Sequence, residues 1–283
     1  MSSPVSSVQQ ARRALGLRLR EIRKDAGLTA REVARRAGWH ESKCSRLEHG
    51  RTPPSDEDIR VWAAVCGARD QIPDLTATAR GIEGMYVEWR RQSAAGLRQV
   101  QRAAVPLYER TRRFRVYEPG VVPGILQTPS YARALMGSII AFQGIPDDTD
   151  EAVAARIERQ RVLGDGHRTF AILVEESALR ARVAPDEAMA AQLGHLLGAM
   201  AHPRVSLGVV PADVARPMWP VEGFWIFDDE RVVVELVTAE VTIEQPREIV
   251  LYARTFAALA NLAVYGPRAR ALVTAAIGAL DGG

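Results

Sequence analysis

The most constraining stretch of the chain is residues 28–54, which read LTAREVARRAGWHESKCSRLEHGRTPP. Thr29 lies three residues before Glu32, the spacing of a capping box, so a helix is predicted to begin near Thr29. Gly38 follows this helix at a point where the chain must reverse and where glycine suits a positive φ. A second helix is then predicted to begin near Glu41, and the glycine and the two prolines after it forbid its continuation. The pattern is that of two short helices joined by a tight turn.

Apolar residues within and around this pair predict a small helical core. Upstream, Leu15, Leu19 and Ile22 recur at i, i+4 and i+7, the spacing of a helix that can cover the pair. One side of each short helix is also apolar, and a closing helix is predicted beyond them. The residues expected to face inward in these three elements are Val33, Ala34, Cys44, Leu47, Ile59, Trp62, Ala63 and Val65.

The opposite side of the second short helix carries groups that can read base edges. Arg46 can present a planar fork to O6 and N7 of guanine, Glu41 can accept from the cytosine amino group, and Ser42 can serve either role. Lys43 fits a base edge or a phosphate equally well. A solvated surface helix has the same pattern, so the flanking helices decide in favour of DNA recognition. A site that contains G·C pairs is expected.

Basic residues around the pair are suited to the DNA backbone. Residues 1–54 hold 12 Lys and Arg against 5 Asp and Glu, a net charge of +7, whereas the rest of the chain has a net charge of −4. Neutralised phosphates supply much of the affinity in protein–DNA complexes. Arg31, Arg35, Arg36 and Arg51 are therefore predicted to contact phosphates and to fix the register.

The arrangement over residues 12–70 resembles the DNA-binding domain of the lambda and 434 repressor class, the XRE-type helix-turn-helix family. The resemblance implies that Arg23 of the first helix pairs with Glu48 near the end of the recognition helix. Two positions depart from the family: Ala30 stands where glutamine is common, and His40 replaces the better N-cap residues. The residues that match the family pattern are Gly27, Leu28, Thr29, Glu32, Ala34, Gly38, Leu47, Glu48 and Gly50.

The rest of the chain changes from helical to mixed patterning. Residues 76–110 predict a helical connector, two helices joined by a break. From residue 111 onward, short strand-like runs alternate with helical stretches. The predicted fold class is therefore multi-domain, an all-α helix-turn-helix domain at 1–75 followed by a mixed α/β domain at 111–283. Strands are expected at 114–119, 169–176, 204–211, 223–228 and 231–237, and helices at 129–142, 149–163, 185–201 and 246–278.

Several segments of this second region, taken in order, resemble one known group. They are YEPGVVPGILQTPSYARALM, RIERQRVL, VEESALR, AAQLGHLL, VSLGVVP and EGFWIF. The region is similar to the domain that follows the helix-turn-helix in actinobacterial antitoxin-like transcriptional regulators, the WhiJ-like group. That resemblance implies a role in developmental or antibiotic-production control, often with a small partner protein encoded nearby.

Five residues of this region are candidate contacts for an effector or partner, and each also has a purely structural explanation. Gln127 and Tyr131 lie beside successive Pro-Gly turns at a helix start, and turn chemistry and a buried tyrosine are the favoured explanation for them. Arg156 and Arg159 lie on a predicted helix and Glu175 lies at the end of a predicted strand. These three residues could line a polar pocket for an anionic effector. An exposed helix face and strand-end charges account for them too.

Enzymatic and membrane classes have little support in the sequence. There is no HExxH, GxSxG, Walker loop or complete GxGxxG motif, so no catalytic residue, metal or cofactor is predicted. Cys44 and Cys66 lack the spacing of a zinc site and are expected to be reduced and buried. No apolar run approaches the ~18 to 20 residues of a membrane span, and the start lacks a signal peptide pattern, so a cytoplasmic location is expected.

Two functional hypotheses follow from these patterns. The first is a sequence-specific regulator that binds double-stranded DNA as a homodimer, because one recognition helix reads too few base pairs for useful discrimination. The alternative is an antitoxin-like protein whose main role is to bind a small partner protein. The two roles can coexist in one chain.

Overall fold

The computed structural model describes residues 4–88, 92–219 and 221–280. The chain forms two compact units, Met1–Val87 and Glu88–Gly283. The first is helical and the second combines helices with a mixed sheet, so the predicted fold class is confirmed.

The first unit packs short helices around an apolar centre. The two short helices occur where the capping box and the turn glycine predicted them. Trp62 is fully buried, and its indole N–H donates to the Leu19 carbonyl oxygen at 3.0 Å, which ties the closing helix to the first one. The helices are α1 (Pro4–Asp25), α2 (Ala30–Ala37), α3 (Glu41–Glu48), α4 (Asp56–Val65) and α5 (Ile72–Met85), with a 3₁₀ turn at Arg69–Gln71.

The predicted inward-facing residues of this unit form its core. All are buried except Val65, which is half-buried, and both cysteines are buried free thiols. The first helix is longer than the apolar spacing indicated, since it begins at Pro4. The predicted connector at 76–110 is not wholly helical. Residues Tyr86–Glu88 form a short strand, β1, where tyrosine and β-branched valine favour extended backbone, and residues 89–91 lie outside the described residues.

The second unit begins with helices and continues as an alternation of strands and helices. Its helices are α6 (Leu97–Ala103), α7 (Val105–Arg110), α8 (Pro129–Gln143), α9 (Thr149–Arg159), α10 (Glu176–Arg180), α11 (Asp186–Ala199), α12 (Pro246–Ala260) and α13 (Gly266–Gly278). Its strands are β2 (Arg113–Glu118), β3 (Thr169–Glu175), β4 (Val205–Val210), β5 (Phe224–Phe227), β6 (Arg231–Glu235) and β7 (Ala239–Ile243), with 3₁₀ turns at Gly124–Leu126 and Gln160–Gly164.

These six strands form one mixed sheet in the order β7-β6-β5-β2-β3-β4. The strands β2, β3 and β4 are parallel, whereas β5, β6 and β7 pair antiparallel and join the rest through β2. Because side chains alternate along a strand, Val116, Ile172 and Trp225 share one face, which we call the A face. Tyr117 and Phe224 lie on the opposite B face, where Phe224 packs on Tyr252 of α12 with ring centroids 5.0 Å apart.

The structure corrects the sequence predictions at two places. The predicted helix 246–278 is two helices, because Gly266 adopts φ +56 and is followed by a proline that opens α13. Strand β7 was not predicted, although Ala239, Val241 and Ile243 alternate as buried residues. Strands β5 and β6 are joined by a tight turn at residues 228–230 that contains no glycine, because Asp228 itself adopts a positive φ of 53°.

Within the part of the chain that the structure describes, we find no helix with the length and apolar character needed to cross a membrane.

Candidate nucleic-acid interface

The turn between α2 and α3 is fixed by local hydrogen bonds. The Thr29 hydroxyl accepts from the Glu32 N–H at 3.2 Å and the Glu32 carboxylate accepts from the Thr29 N–H at 2.7 Å, which is the predicted capping box. Gly38 takes φ 69 and ends α2. His40 caps the N-terminus of α3 although it is not a favoured N-cap residue, because its Nδ1 accepts from the Ser42 N–H at 3.3 Å. The start of the recognition helix α3 is therefore well defined.

A buried ion pair holds the other end of α3. Arg23 donates two hydrogen bonds to the Glu48 carboxylate, at 2.5 and 3.0 Å, and a third to the Leu28 carbonyl at 2.8 Å. The hydrogen bonding of Arg23 to the Glu48 carboxylate raises the pKa of Arg23 above its ordinary value. Arg23 and Glu48 are only 9% and 7% exposed, so the pair that the family resemblance implied is internal. It joins α1 to the last turn of the recognition helix.

The exposed side of α3 forms a continuous stripe. Arg46 donates from Nη1 to the Ser42 hydroxyl at 3.1 Å, so two of the predicted base readers touch each other. The sequence prediction missed Ser45 and His49, although their spacing of four and eight residues from Glu41 places them on the same side. The recognition stripe, as we call it, consists of Glu41, Ser42, Ser45, Arg46 and His49, all exposed.

Lys43 lies beside this stripe and pairs with the next helix, and its predicted contact with a base edge or a phosphate stays a prediction. Its ammonium group lies 2.6 Å from an Asp58 carboxylate oxygen of α4 and 4.3 Å from the Trp39 ring centroid. The side chain is half-buried. The physical reason is that the Asp58 carboxylate, which also accepts from the Ser55 N–H at 3.1 Å, and an aromatic face lie within its reach, and both attract a cation.

The four arginines predicted to contact phosphates are all exposed: Arg31, Arg35, Arg36 and Arg51. Arg31 pairs with Glu41 at 3.0 Å, with side chains 84% and 59% exposed. A pair this exposed contributes little to stability, so both side chains can exchange partners at low cost. Exposed arginines are thus available at both ends of the recognition stripe, Arg31 beside Glu41 and Arg51 after His49.

Two glycines allow α1 to contact the end of α3 through the backbone. A Cβ atom on Gly16 would lie 2.5 Å from the Glu48 carbonyl oxygen. A Cβ atom on Gly50, which also adopts φ +63, would lie 2.7 Å from the backbone of Arg12 and Arg13. The recognition helix is therefore positioned by direct contact with α1 as well as by the buried pair.

Replacing Gly16 with alanine is expected to destabilise the first unit by about 1–3 kcal/mol, because the added methyl must displace backbone atoms in a close-packed contact. Denaturant unfolding of the full chain measures this. The matched control is Gly81→Ala in α5, an exposed helical glycine whose Cβ would meet no atom within 4 Å, where alanine should be neutral or stabilising. Equal stability of the two variants would contradict the close contact.

The second unit separates the residues that were predicted to contact an effector or partner. Tyr131 is fully buried and its hydroxyl accepts from the Val122 N–H at 3.2 Å, whereas Gln127, 2% exposed, donates to the Val122 carbonyl at 2.7 Å. Both residues therefore fix the turn before α8 and present no surface to a ligand. This corrects their assignment as ligand contacts, and the turn chemistry weighed beside it explains them.

Glu175 is also buried, and it lies on the opposite side of the sheet from Arg156 and Arg159. It accepts hydrogen bonds from the Tyr117 hydroxyl at 2.8 Å and from both terminal nitrogens of Arg216, on the B face. Arg156 donates to Gln127 at 2.6 Å and Gln101 at 3.1 Å. Arg159 lies over the Tyr108 ring, 4.4 Å from its centroid. The five predicted residues therefore do not form a single site.

A polar cluster on the A face was missed by the sequence prediction. Glu118, at the end of β2, accepts from the Trp225 indole N–H at 2.8 Å. Burial, together with the neighbouring Glu235, raises the pKa of Glu118 to about 8. Glu235 lies directly opposite Glu240 on β7, and burial with this repulsion raises the pKa of Glu240 to about 7. No periodic pattern reveals such a cluster, because it depends on strand register.

The raised pKa of Glu118 predicts a pH dependence. The folded chain keeps this proton at pH values where an unfolded glutamic acid, with a pKa of about 4.3, has lost it. Its contribution to stability is therefore fully present below about pH 4 and is lost as pH rises through the folded pKa of about 8. The thermal unfolding midpoint of the second unit should decrease as the pH is raised from mildly acidic to mildly alkaline values. This decrease should be smaller in the Glu118→Gln variant. Identical pH profiles would contradict a protonated Glu118.

Comparisons with known proteins agree with this division of the chain. Residues 14–77 match a family described as a helix-turn-helix domain, and residues 101–275 match one described as a domain of unknown function, DUF5753. No curated protein sequence matches the chain. The solved structure of TrmBL2, titled as an archaeal chromatin protein with a novel mode of DNA binding, is 11% identical with a TM-score of 0.33, over 75% of this chain and 70% of that one. A likeness that distant carries no argument.

The helix-turn-helix match supports the XRE-like arrangement predicted from the sequence and a DNA-binding role for the first unit.

Proposed function

Because the chain belongs to the family described as a domain of unknown function, DUF5753, and also carries a helix-turn-helix domain, we propose that it is a sequence-specific transcriptional regulator. The observation that carries this proposal is the recognition stripe of α3. Its side chains are exposed while both ends of the helix are fixed, by the His40 cap and by the buried Arg23–Glu48 pair. Preorganised, exposed polar groups on one helix are what base recognition in the major groove requires.

In this proposal Arg46 is the main base reader. The hydrogen bond from Arg46 to Ser42 holds the guanidinium along the stripe, so its fork can meet O6 and N7 of a guanine. Glu41 can exchange its exposed pairing with Arg31 for the amino group of a cytosine. Arg31, released in the same step, can then contact a phosphate. A site with G·C pairs is the expected outcome.

We further propose that the chain binds DNA as a homodimer. A recognition helix of eight residues contacts only a few base pairs, which is too few to select one site in a genome. Two copies related by a two-fold axis would read half-sites about one helical turn apart, roughly 34 Å. The preferred sequence would then be palindromic.

The second unit is proposed to bind an effector or a small partner protein, as the WhiJ-like resemblance implies, and no catalytic step is assigned to it. Two features support a binding role. In the described residues neither Arg156 nor Arg159 forms an ion pair with a carboxylate, and the Phe142 side chain at the end of α8 is 80% exposed. If partner binding is instead the main role, the chain should co-purify from its host with one stoichiometric small protein. Purification without such a protein would count against that alternative.

Genome-wide mapping of the tagged chain in its own host tests the regulator proposal. Sharp peaks upstream of genes, which share a palindromic motif containing G·C pairs, are expected. Peaks without a common motif, in a chain shown to be folded and abundant, would contradict sequence-specific regulation.

A further inference from the structure

A groove in the first unit lies beside the recognition helix, and the side chains of α1 that line it have no role in the function proposed so far. It has a volume of about 300 Å³ and runs between α1 and the chain that leaves α3. We call it the α1 groove. Its walls come from Arg13, Leu17 and Arg20 on one side and from Glu48, His49 and Arg51 on the other.

The α1 groove is strongly positive. Within the described chain, Arg13 and Arg51 form no ion pair with a carboxylate, and both are exposed. Arg20 is 3.9 Å from a Glu48 oxygen, but that carboxylate is already engaged by two hydrogen bonds from Arg23. Three guanidinium groups therefore face one groove with little compensation.

The two walls of the groove are in close backbone contact, and the groove is continuous with the recognition stripe. His49 belongs to both, as the last residue of the stripe and as part of the groove wall. The backbone contacts at Gly16 and Gly50 hold α1 against this end of α3, and the Gln9 side-chain amide donates to the Gly50 carbonyl at 3.3 Å. The backbone segments that carry the three arginines are thus held next to the recognition stripe.

We propose that the α1 groove binds the sugar–phosphate backbone of DNA next to the major groove that α3 enters. This inference rests on the proposed function and adds a second contact surface to it. Helix α3 has eight residues and is about 12 Å long, similar to the major-groove width of about 12 Å, so the residues just beyond its end reach the flanking phosphates. Arg13, Arg20 and Arg51 would donate to phosphate oxygens, and the Leu17 side chain, 54% exposed, would lie against a sugar.

The charge pattern favours DNA over an acidic peptide as the occupant. A phosphate strand presents evenly spaced negative charges, and guanidinium groups bind phosphate oxygens in a two-pronged geometry. The α1 groove continues from the recognition helix, so DNA bound by that helix would already be oriented along the groove. A separate peptide would not be oriented in this way. The α1 groove would therefore strengthen binding to every DNA sequence without adding specificity.

The double variant Arg13→Gln/Arg20→Gln tests this inference in the full chain. Each lost phosphate contact should reduce the slope of log K against log salt by about 0.9 and weaken binding roughly eightfold at 0.1 M salt. The loss should be the same on a preferred duplex and on an unrelated one. Arg18→Gln is the matched control, because Arg18 lies on the same helix but bonds to Glu21 and Gln71 away from the groove.

The outcomes separate this inference from the function on which it rests. A wild-type chain that binds no duplex overturns both. Sequence-specific binding by the wild type, with an unchanged salt slope in the double variant, overturns the α1 groove alone. A double variant that loses affinity because it no longer dimerises, seen as a halved mass in sedimentation, also overturns the inference and makes the groove an interface between copies.

Discussion

Replacing Arg23 with methionine should destabilise the first unit by about 3–5 kcal/mol, because the change leaves the Glu48 carboxylate buried without its partner. Glu48 is 7% exposed, and Arg20, at 3.9 Å, is too distant to replace two direct hydrogen bonds. The orphaned carboxylate lies at the contact of α1 with α3, so DNA binding should be lost together with stability. Denaturant unfolding of the full chain, followed by far-UV circular dichroism, measures the change.

The control for this prediction is Arg18→Met, on the same helix. Arg18 pairs with Glu21 at the surface, with side chains 49% and 62% exposed, and such pairs contribute about 0–1 kcal/mol. A loss in Arg23→Met no larger than in the control would mean that water reaches Glu48 and that the pair does not hold the recognition helix in place.

Replacing Arg46 with alanine should weaken binding to the preferred DNA by about 1–3 kcal/mol and relax specificity at one base pair. The reason is that a bidentate contact with guanine is lost while the fold is kept, since Arg46 is exposed and its bond within the protein is to the exposed Ser42 hydroxyl. Affinity for unrelated duplexes should change little. Titration of labelled duplexes that differ at single base pairs measures both effects.

Arg36→Ala is the matched comparison for Arg46→Ala. Arg36 is an exposed arginine near the end of α2 and is assigned to phosphate, so its loss should weaken binding equally on every duplex and lower the salt slope by about 1. If Arg46→Ala behaved in this uniform way instead, Arg46 would be a backbone contact and base reading would have to come from other residues of the stripe.

The helix-turn-helix could be predicted from the sequence because its signals are local. The capping box of Thr29 and Glu32 and the positive φ of Gly38 involve residues close together in the chain, and both are found in the structure. The ion pair between Lys43 and Asp58 could not be predicted, because Asp58 lies in the next helix. The α1 groove could not be predicted at all, since Arg13 and Arg51 meet only through tertiary packing.

The second unit shows the same limit more strongly. Alternating and apolar runs in the sequence predicted five strands of the sheet. They do not indicate on which face of the sheet each helix packs. Glu175 was therefore grouped with Arg156 and Arg159, although β3 directs it to the B face, toward Tyr117 and Arg216. The contact between Glu118 and the Trp225 indole could not be predicted either, because it depends on the register between β2 and β5.

The decisive measurement is selection from a pool of random-sequence duplexes by the purified full chain, with the Arg46→Ala variant carried through the same rounds. We expect the wild type to enrich one palindromic motif with G·C pairs, and the variant to enrich a motif that is degenerate at one symmetric pair of positions. Enrichment of no motif, or of an identical motif by both proteins, would contradict sequence reading by the recognition helix.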